Sequence, residues 1–419
     1  MEKQRFKQTE IGMIPEEWGE VVFSEAVEVN PQRNLEKGTL AKSVSMPDIQ
    51  PFMRKISNFV LREFKGGSKF KNGDTLFARI TPSLENGKTA FVDILDEGEV
   101  GFGSTEFIVL SGKEGKSNNH FVYYLSRSPD VRNVAIKSMT GTSGRQRVET
   151  DVFDTIIINL PPLPEQRAIA KILSDLDSKI ELIQQMNKTL EAIGQSLFKR
   201  WFIDFEFPNE EGKPYKSSGG EMVYNEELQK EMPKGWVIKK LNEISDNFDS
   251  KRIPLSSRER EARRGNYPYY GATGILDYVD NFIFNGTYVL MGEDGSVIDD
   301  KGYPILQFIW GKFWVNNHAH VLKGKGISNE LLFLLLKNTN VSHIITGAVQ
   351  PKINQNNMNK LEFVLPNQKI LSKLETAFIF LFQKLKQNHE EIKTLSRIRD
   401  SLLPKLMSGK IRVPVEVKP

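Results

Sequence analysis

Apolar residues recur in alternating steps of four and three along two long segments of the chain. The first seam runs from Ile169 to Trp201 and the second runs from Leu374 to Leu406. A 3.5-residue apolar repeat is typical of a coiled coil. The sequence therefore predicts two long helices that pack on each other. The alternative is two amphipathic helices that each pack only on their own domain.

One asparagine interrupts each apolar seam, Asn187 in the first and Asn388 in the second. If the helices run antiparallel about a pseudo-dyad, the repeat offset of 205 places these two asparagines opposite each other. A buried asparagine pair fixes register at some cost in stability. We therefore interpret Asn187 and Asn388 as register residues, whose joint replacement by Leu should raise thermal stability while loosening the register.

The chain also repeats its own order of motifs. The matches are Ile14–Phe23 with Met232–Leu241, Asn72-Gly73 with Asn285-Gly286, Thr140-Gly141 with Thr346-Gly347, and Leu160-Pro161 with Leu365-Pro366. Their offset falls from 218 to 205 and then stays constant through the helices. Loops tolerate insertions and a helix register does not, so the architecture is unit, helix, unit, helix.

Within the repeated units, short strand patterns, glycine turns and one apolar helix alternate, which predicts an α+β fold. The expected architecture is two similar α/β domains separated by two long helices that form an antiparallel coiled coil, with an internal pseudo-twofold repeat. The predicted bounds are 1–160 for the first domain, 161–206 for helix one, 207–229 for an exposed linker, 230–366 for the second domain, 367–410 for helix two and 411–419 for a tail.

Composition excludes several classes of protein. The 419 residues include no cysteine and five histidines, which rules out thiolate metal sites and a cysteine nucleophile. No apolar stretch is long enough to cross a bilayer and the N-terminus has no signal-peptide core, so a cytoplasmic location is expected. The formal net charge of +4 permits nucleic-acid binding without arguing for it.

Catalytic patterns are weak. Asp48, Glu63 and Lys65 fit the loose layout of a metal-dependent nuclease, in which two carboxylates hold a divalent ion. The layout is degenerate and has no counterpart in the second unit, so it stands as the alternative function. His318 and His320 alternate along a strand, but no third metal ligand is evident nearby, which favours ordinary core or surface histidines and predicts no metal site.

Polar loops occur at matching places in both units and supply groups that bind DNA bases and phosphates. The candidates in the first unit are Arg79, Thr81, Ser104, Thr105, Ser143, Arg145, Gln146 and Arg147. Those in the second unit are Tyr270, Gly271, Thr273, Glu293, Asp294, Asn317, His318, Gln350 and Lys352. A hairpin turn at Gly292–Gly295 and a solvated run at Arg145–Arg147 are the structural alternatives.

The expected geometry suggests a bipartite target. A coiled coil of ~35 residues is ~50 Å long, and two modules held by it would meet two major-groove segments on one face of a duplex. Because the two modules differ in sequence, the two half-sites should differ as well.

The whole chain resembles the specificity subunit of type I restriction–modification enzymes. The motifs that carry the resemblance are Thr9–Trp18, Leu160–Ala170, Leu197–Phe205, Gly311–His320 and Ser401–Gly409. The second helix begins with Leu365-Pro-Asn-Gln-Lys369 and departs from the fuller form of the first.

The resemblance implies that the two units are target-recognition domains, that the helices separate them, and that the subunit has no catalytic residues and no cofactor of its own. It implies double-stranded DNA with a bipartite site, two adenine methyltransferase subunits that use S-adenosylmethionine, and ATP- and Mg-dependent restriction and translocase subunits as partners. A bivalent scaffold for proteins that does not bind DNA is a further alternative.

Overall fold

The computed structural model describes residues 5–9, 12–142, 144–347 and 350–414. It divides into two compact units. Unit 1 comprises residues 1–185 with 388–419, and unit 2 comprises residues 186–387. Each unit therefore contains one α/β domain and part of each long helix.

The domain of unit 1 precedes the first long helix. Its strands are β1 (Phe6–Thr9), β2 (Gly12–Pro15), β3 (Gly19–Val22), β4 (Val27–Val29), β5 (Leu40–Val44), β6 (Val60–Glu63), β7 (Ser68–Phe70), β8 (Thr75–Ala78), β9 (Thr89–Phe91), β10 (Gly101–Gly103), β11 (Phe107–Gly112) and β12 (Ile157–Leu160). Its helices are α1 (Phe23–Ala26), α2 (Asn119–Arg127) and α3 (Pro129–Lys137), and the long helix is α4 (Leu163–Phe198).

The domain of unit 2 follows the same plan. Its strands are β13 (Met222–Asn225), β14 (Lys230–Pro233), β15 (Val237–Lys240), β16 (Ser245–Asn247), β17 (Arg264–Tyr270), β18 (Ile275–Val279), β19 (Phe284–Asn285), β20 (Tyr288–Gly292), β21 (Leu306–Ile309), β22 (Lys312–Val315), β23 (Ala319–Gly324), β24 (Ile345–Thr346), β25 (Lys352–Ile353) and β26 (Glu362–Leu365). Its helices are α5 (Leu241–Ile244), α6 (Ser257–Ala262), α7 (Asn329–Lys337), α8 (Gln355–Met358) and the long α9 (Gln368–Met407).

The sheets of the two units correspond strand by strand. Unit 1 has four-stranded sheets ordered β6-β5-β10-β7 and β4-β11-β8-β9, and unit 2 has β18-β17-β22-β19 and β16-β23-β20-β21. In both units one sheet contains a parallel pair, β5 with β10 and β17 with β22, and otherwise pairs antiparallel. The predicted α+β fold with two similar domains and two long helices is confirmed.

The apolar helix of each domain is positioned by the same device. The Asn118 side chain accepts a hydrogen bond from the Phe121 N–H at the start of α2, and the Ser328 side chain accepts one from the Leu331 N–H at the start of α7. Such N-caps satisfy backbone donors that have no partner within the helix. Both helices span nine residues, so position 123 corresponds to position 333.

The long helices run antiparallel within each unit. In unit 1, Asp177 of α4 pairs with Arg399 of α9, and Lys179 pairs with Glu391. In unit 2, the Trp201 ring, one turn beyond the end of α4, lies 5.6 Å from the Phe378 ring of α9. Every helix of the described residues is too short or too polar to span a lipid bilayer.

The two predicted register residues are both in buried positions. Asn187 is 7% exposed and Asn388 is 1% exposed, although both carry polar amides. Burial of this kind fits a register role. Asn187 belongs to unit 2 and Asn388 to unit 1, and their pairing stays a prediction.

A buried ionic network joins the helices to the domain in unit 1. The Asp177 carboxylate, 2% exposed, accepts hydrogen bonds from Arg399 Nη1 at 2.6 Å and from the Tyr124 hydroxyl at 2.7 Å. Arg127 Nη1 lies 3.9 Å from the same carboxylate and donates to the Tyr123 hydroxyl at 2.8 Å. Burial raises the pKa of Tyr123 to about 12. The network therefore holds one buried carboxylate between two buried guanidinium groups.

Unit 2 fills the corresponding place with aromatic rings. The helix offset of 205 matches Asp177 to Phe382, and the α2–α7 correspondence matches Tyr123 to Phe333. The ring centroids of Phe382 and Phe333 are 5.8 Å apart, and both contact the Phe308 ring. The two units therefore share a backbone plan and use different chemistry in its core.

The start of α4 explains the Pro-Pro-Leu-Pro-Glu-Gln motif. The buried Glu165 carboxylate accepts from the Trp18 indole N–H at 2.8 Å and from Arg412 at 2.6 Å, and Arg412 also pairs with Glu17. The Gln166 side chain donates to the backbone oxygens of residues 161 and 116 and accepts from the N–H of residue 118. The motif therefore fixes α4 to the domain, and the C-terminal tail joins the same cluster.

The second copy lacks these groups. The offset of 205 places Ile370 and the buried Leu371 where unit 1 has Glu165 and Gln166. The Trp236 indole N–H, which corresponds to that of Trp18, is buried without a hydrogen-bond partner among the described residues. The departure seen in the sequence at the start of the second helix thus moves the polar anchors to other residues of α9, where Gln368 donates to the Gly326 carbonyl and the Glu375 carboxylate accepts from the Ser328 N–H.

Residues 207–229, which the sequence predicted to be an exposed linker, are mostly exposed but begin with a packed aromatic residue. Phe207 is 2% exposed, and its ring lies 4.6 Å from that of Tyr215 and 5.1 Å from that of Trp236. Strand β13, in the same stretch, pairs with β14. The stretch therefore contains local packing and strand pairing, and its role as a linker stays a prediction.

Replacing Glu165 by alanine should lower the free energy of unfolding of unit 1 by about 3 kcal/mol, because it leaves the Trp18 N–H and the Arg412 guanidinium without their shared acceptor. Hydrogen exchange of unit 1 peptides across a denaturant series measures the loss. Glu17→Ala, which removes the exposed partner of the same arginine, should cost less than about 1 kcal/mol. Equal losses for the two variants would show that the buried carboxylate has no special role.

Candidate nucleic-acid interface

Backbone hydrogen bonds bring the candidate loops of unit 1 together beyond the end of β8. The Arg79 N–H donates to the Glu106 carbonyl at 3.0 Å, and the Val148 N–H donates to the Arg79 carbonyl at 2.8 Å. The Thr81 N–H donates to the Gln146 carbonyl at 3.0 Å. Three separate loops therefore meet at one place, and they carry Arg79, Thr81, Ser104, Thr105, Gln146 and Arg147.

Unit 2 forms the same pattern of hydrogen bonds. The Glu293 N–H donates to the His318 carbonyl at 2.9 Å, and the Ile353 N–H donates to the Glu293 carbonyl at 2.9 Å. The Gly295 N–H donates to the Pro351 carbonyl at 3.1 Å. We call these residues the shared frame, which comprises 79–81, 106 and 146–148 in unit 1 and 293–295, 318 and 351–353 in unit 2.

The shared frame carries different side chains in the two units. Its correspondences are Arg79 with Glu293, Thr81 with Gly295, Glu106 with His318, Gln146 with Pro351 and Arg147 with Lys352. At two of these equivalent positions the charge type is exchanged: Arg79 of unit 1 corresponds to the carboxylate Glu293, and the carboxylate Glu106 corresponds to His318. The backbone is repeated while the hydrogen-bonding chemistry of its side chains is not.

Ion pairs orient the frame side chains of unit 1. Arg147 forms a fork on Glu106, with Nε at 3.0 Å and Nη2 at 2.6 Å from the carboxylate oxygens. The hydrogen-bonded Arg147 guanidinium holds the pKa of the Glu106 carboxyl below its usual range. Arg79 pairs with Glu149 at 3.0 Å. The guanidinium of Arg147 is partly exposed, so it is held in one orientation and remains accessible.

The hydroxyl groups of the unit 1 frame hold its backbone. Ser104 Oγ accepts from the Glu106 N–H at 3.1 Å, and Thr81 Oγ1 accepts from the Gln146 N–H at 3.0 Å. The two hydroxyls that the sequence proposed as DNA contacts therefore have structural partners within the unit.

The unit 2 frame is tied by different pairs. Glu293 accepts from Arg252 Nη1 at 2.6 Å and lies 3.2 Å from Lys352 Nζ. Asp294 pairs closely with His318 Nδ1. Glu293 thus pairs with two cations. Lys352 was predicted from the sequence as a site residue, and Arg252 was not.

Sequence reasoning missed Asp249 and Arg252 and treated His320 as an ordinary core or surface histidine, whereas all three lie around Glu293. His320 is 1% exposed, with Nδ1 2.6 Å from the Asp249 carboxylate and Nε2 2.8 Å from the Ile353 carbonyl. Both ring nitrogens therefore face hydrogen-bond acceptors. Burial is the largest single influence on the pKa of Asp249 and raises it, but His320, the Val321 N–H and the Asn247 amide together outweigh burial, so the pKa lies below its usual value.

The structure corrects the expectation that no third metal ligand lies near the alternating histidines. Oxygen and nitrogen atoms of Asp249, Glu293 and His320 lie within 4.8 Å of one another, whereas His318 pairs elsewhere. These three groups could hold a divalent ion. Arg252 and Lys352 already balance their charge, however, so the cluster is a closed set of ion pairs.

Other candidate residues have separate surroundings. Thr105, Arg145, Thr273 and Gln350 are exposed, and Ser143 lies outside the described residues. The Tyr270 ring packs on Phe313, with centroids 5.9 Å apart, and the Gly271 carbonyl accepts from the Gln307 amide. The Asn317 carbonyl faces Arg252 Nη1 at 3.4 Å. Roles of all these residues in DNA contact stay predictions.

The residues of the nuclease alternative have ordinary local roles. The Asp48 carboxylate accepts from the Ser45 N–H at 2.7 Å and closes a helical turn. Glu63 lies on the exposed strand β6, opposite Leu40. Among the described residues, the group of three metal-ligating side chains within reach of one ion contains neither of these carboxylates.

The fold and the repeated frame define a chain with two similar α/β domains, each packed with parts of two long helices. The family model for the type I restriction modification DNA specificity domain matches residues 15–192 and again residues 233–394. The chain belongs to this family.

Relatives extend the similarity to the full length. The chain is 27% identical to the type I restriction enzyme MjaIX specificity subunit of Methanocaldococcus jannaschii, over 97% of this chain and 96% of that protein. It is 24% identical to the HindI specificity subunit of Haemophilus influenzae, over 85% and 90% of the two chains. The crystal structure of a type I restriction-modification system S subunit from M. genitalium shares the fold, with a TM-score of 0.55 and 17% identity over 93% of this chain and 96% of that one.

Proposed function

We propose that this chain is the sequence-specific DNA-binding subunit of a type I restriction–modification system. In this proposal each unit reads one half of a bipartite, asymmetric DNA site. The chain itself performs no catalysis, and the adenine methyltransferase and restriction subunits supply S-adenosylmethionine, ATP and Mg chemistry. Family membership supports the general class of function, and the division of labour between the units rests on the shared frame.

The observation that carries the proposal is the repeated frame with exchanged side chains. A constant backbone presents Arg79 and Arg147 in unit 1 and Glu293 and Lys352 in unit 2. Arginine can bind guanine bidentately, and a carboxylate can accept a hydrogen bond from the cytosine amino group. Two copies of one frame that carry different donors and acceptors would read two different half-sites.

The long helices support the other part of the proposal, which is spacing and assembly. Each helix rises about 1.5 Å per residue, so a fixed helix pair sets a fixed distance between half-sites. Exposed apolar side chains on α4 and α9, including Ile172, Leu182 and Phe380, are available for partner subunits. We propose that the two methyltransferase subunits dock on the helices.

Co-expression with the genomically adjacent methyltransferase, followed by single-molecule sequencing of N6-methyladenine, tests the function. We expect one bipartite, asymmetric motif to become methylated only when this chain is present. Methylation that does not change with this chain, in a complex that assembles correctly, would overturn the proposal.

The alternative functions give different results in the same preparation. Magnesium-dependent nicking by the isolated chain that Asp48→Ala abolishes would favour the nuclease. Partner binding without any salt-sensitive DNA binding would favour the protein scaffold.

A further inference from the structure

Unit 1 contains an open cleft beside the shared frame. It encloses about 610 Å³ between the turn after β4, the start of β7 and the loop before β11. The turn is held in place by Asn30, which has a φ of +51° and both donates to and accepts from the backbone of Val109. The residues that matter for its chemistry are Gln32, Arg33, Ser68, Lys69, Arg79 and Thr105. We call this space the Arg79 cleft.

The Arg79 cleft is lined by cations. Arg33, Lys69 and Arg79 line it, and among the described residues no carboxylate does. Arg33 forms an ion pair with the fully buried Asp74, and Arg79 forms one with Glu149. Lys69 has no ion pair within the described part of the chain, and its Nζ lies 5.0 Å from the centroid of the Phe64 ring. The Nε atoms of both arginines are buried and lack a hydrogen-bond partner among the described residues.

A neighbouring cleft shows that this charge pattern is local. The space on the other side of residues 27–32 is lined by Glu28, Asp151 and Asp154, with Lys113 as its one cation among the described residues. An anion would therefore be attracted to one side of this segment and repelled from the other.

Unit 2 closes the corresponding space with its own guanidinium group. The Arg79 cleft is lined by Arg79, Thr105 and Phe107, which correspond in the strand pairing to Glu293, Asn317 and Ala319. Arg252 Nη1 donates to the Glu293 carboxylate at 2.6 Å. It also donates to the Asn317 carbonyl at 3.4 Å and to the Ala319 carbonyl at 2.7 Å. A cation thus occupies in unit 2 the place that is open and cationic in unit 1.

We propose that the Arg79 cleft is a phosphodiester-binding subsite of unit 1, with Lys69, the cation of the cleft that has no ion pair among the described residues, as the contact to the DNA backbone beside the bases that the shared frame reads. This inference rests on the proposed function. It assigns to unit 1 a cationic backbone contact that unit 2 does not make at the equivalent place, because Arg252 is already paired there.

The test is Lys69→Ala in the full chain assembled with its methyltransferase, using a labelled duplex that carries the mapped motif and a scrambled duplex. Binding to both duplexes should weaken roughly tenfold at low salt, because a charge-assisted hydrogen bond to phosphate is lost. The slope of log K against log salt, measured between about 50 and 200 mM, should fall by about 1. The preference for the motif over the scrambled duplex should not change.

Lys71→Ala is the matched control, because Lys71 is exposed two residues away and does not line the cleft. We expect it to leave the affinity and the salt slope at their original values. If Lys69→Ala behaves like this control while the parent complex binds its motif, the cleft proposal is wrong and the proposed function stands. If the parent complex binds no motif, the proposed function itself fails.

A third arm separates DNA backbone from free phosphate. Inorganic phosphate added at constant ionic strength should give no thermal stabilisation that depends on Lys69. Stabilisation that Lys69→Ala removes, with unchanged DNA binding, would assign the cleft to a free phosphoryl ligand and overturn its role in DNA contact.

Discussion

Replacing Asp177 by alanine should lower the free energy of unfolding of unit 1 by about 3–5 kcal/mol. The carboxylate is 2% exposed and accepts hydrogen bonds from Arg399 and Tyr124, with Arg127 close by. Removing it leaves the buried Arg127 with no carboxylate partner among the described residues, and it leaves the buried Arg399 with only the half-exposed Asp400. An uncompensated buried charge costs far more than the loss of an exposed ion pair.

The measurement is hydrogen exchange across a denaturant series, in which unit 2 peptides act as the internal reference. Asp175→Ala is the matched control, since Asp175 lies two residues away on α4 and makes only an exposed pair with Lys171. That control should cost less than about 0.5 kcal/mol. Loss of protection in both units to the same extent would contradict a local role for the network.

A second variant tests the cause of the loss. Asp177→Leu combined with Arg399→Leu removes an opposite-charge pair, and apolar replacements of buried ion pairs are often tolerated. Unit 2 has Phe382 at the equivalent of Asp177 and packs it among aromatic rings. We therefore expect the double variant to be more stable than Asp177→Ala, and a larger loss would show that the charges themselves are required.

Arg147→Ala and Lys352→Ala should each relax the methylated motif in one half only. The two residues occupy equivalent frame positions, and each is oriented by a carboxylate, Glu106 or Glu293. A specific base contact is worth about 1–3 kcal/mol, so discrimination at one position should fall roughly 10- to 100-fold. Mapping N6-methyladenine in cells that express each variant measures this directly.

Each of these variants is the control for the other. We expect different halves of the motif to become degenerate, and relaxation of the same half by both variants would contradict the assignment of one unit to one half-site. Arg147→Lys keeps the charge but loses the planar fork. If Arg147 reads a base through that fork, the lysine variant should resemble Arg147→Ala in specificity while retaining more overall affinity.

Much of the architecture could be predicted because it is encoded in local patterns. The 3.5-residue seams gave both long helices, whose ends in the structure are Leu163, Phe198, Gln368 and Met407. The paired motifs gave the repeat, and the equivalence of Thr140 with Thr346 reappears in the pairing of Thr140 with Arg147 and of Thr346 with Lys352. Such periodicities and repeated motifs can be recognised from the sequence because each of them lies within a short stretch of the chain.

The candidate site was predicted only in part. The loops that carry Arg79, Gln146 and Arg147 were found, because clustered polar residues mark them. Arg252 and Asp249 were missed, since they lie about forty and seventy residues from the groups they bind, in a segment with no distinguishing motif. Lys69 and Arg33 were missed for the same reason, and they line the Arg79 cleft only once β4, β7 and β11 are assembled.

The sequence by itself determined the repeat, the two helices, the α+β class and the family, because periodicity and motif order require no knowledge of distant contacts. Only the tertiary structure decided which side chains pair. It placed an ionic network in one unit and aromatic rings at its equivalent in the other, and it left one cleft open while Arg252 closed its counterpart. Pairing depends on which residues the fold brings within about 3 Å, and residues at equivalent positions of a repeat can differ in charge while the backbone stays the same.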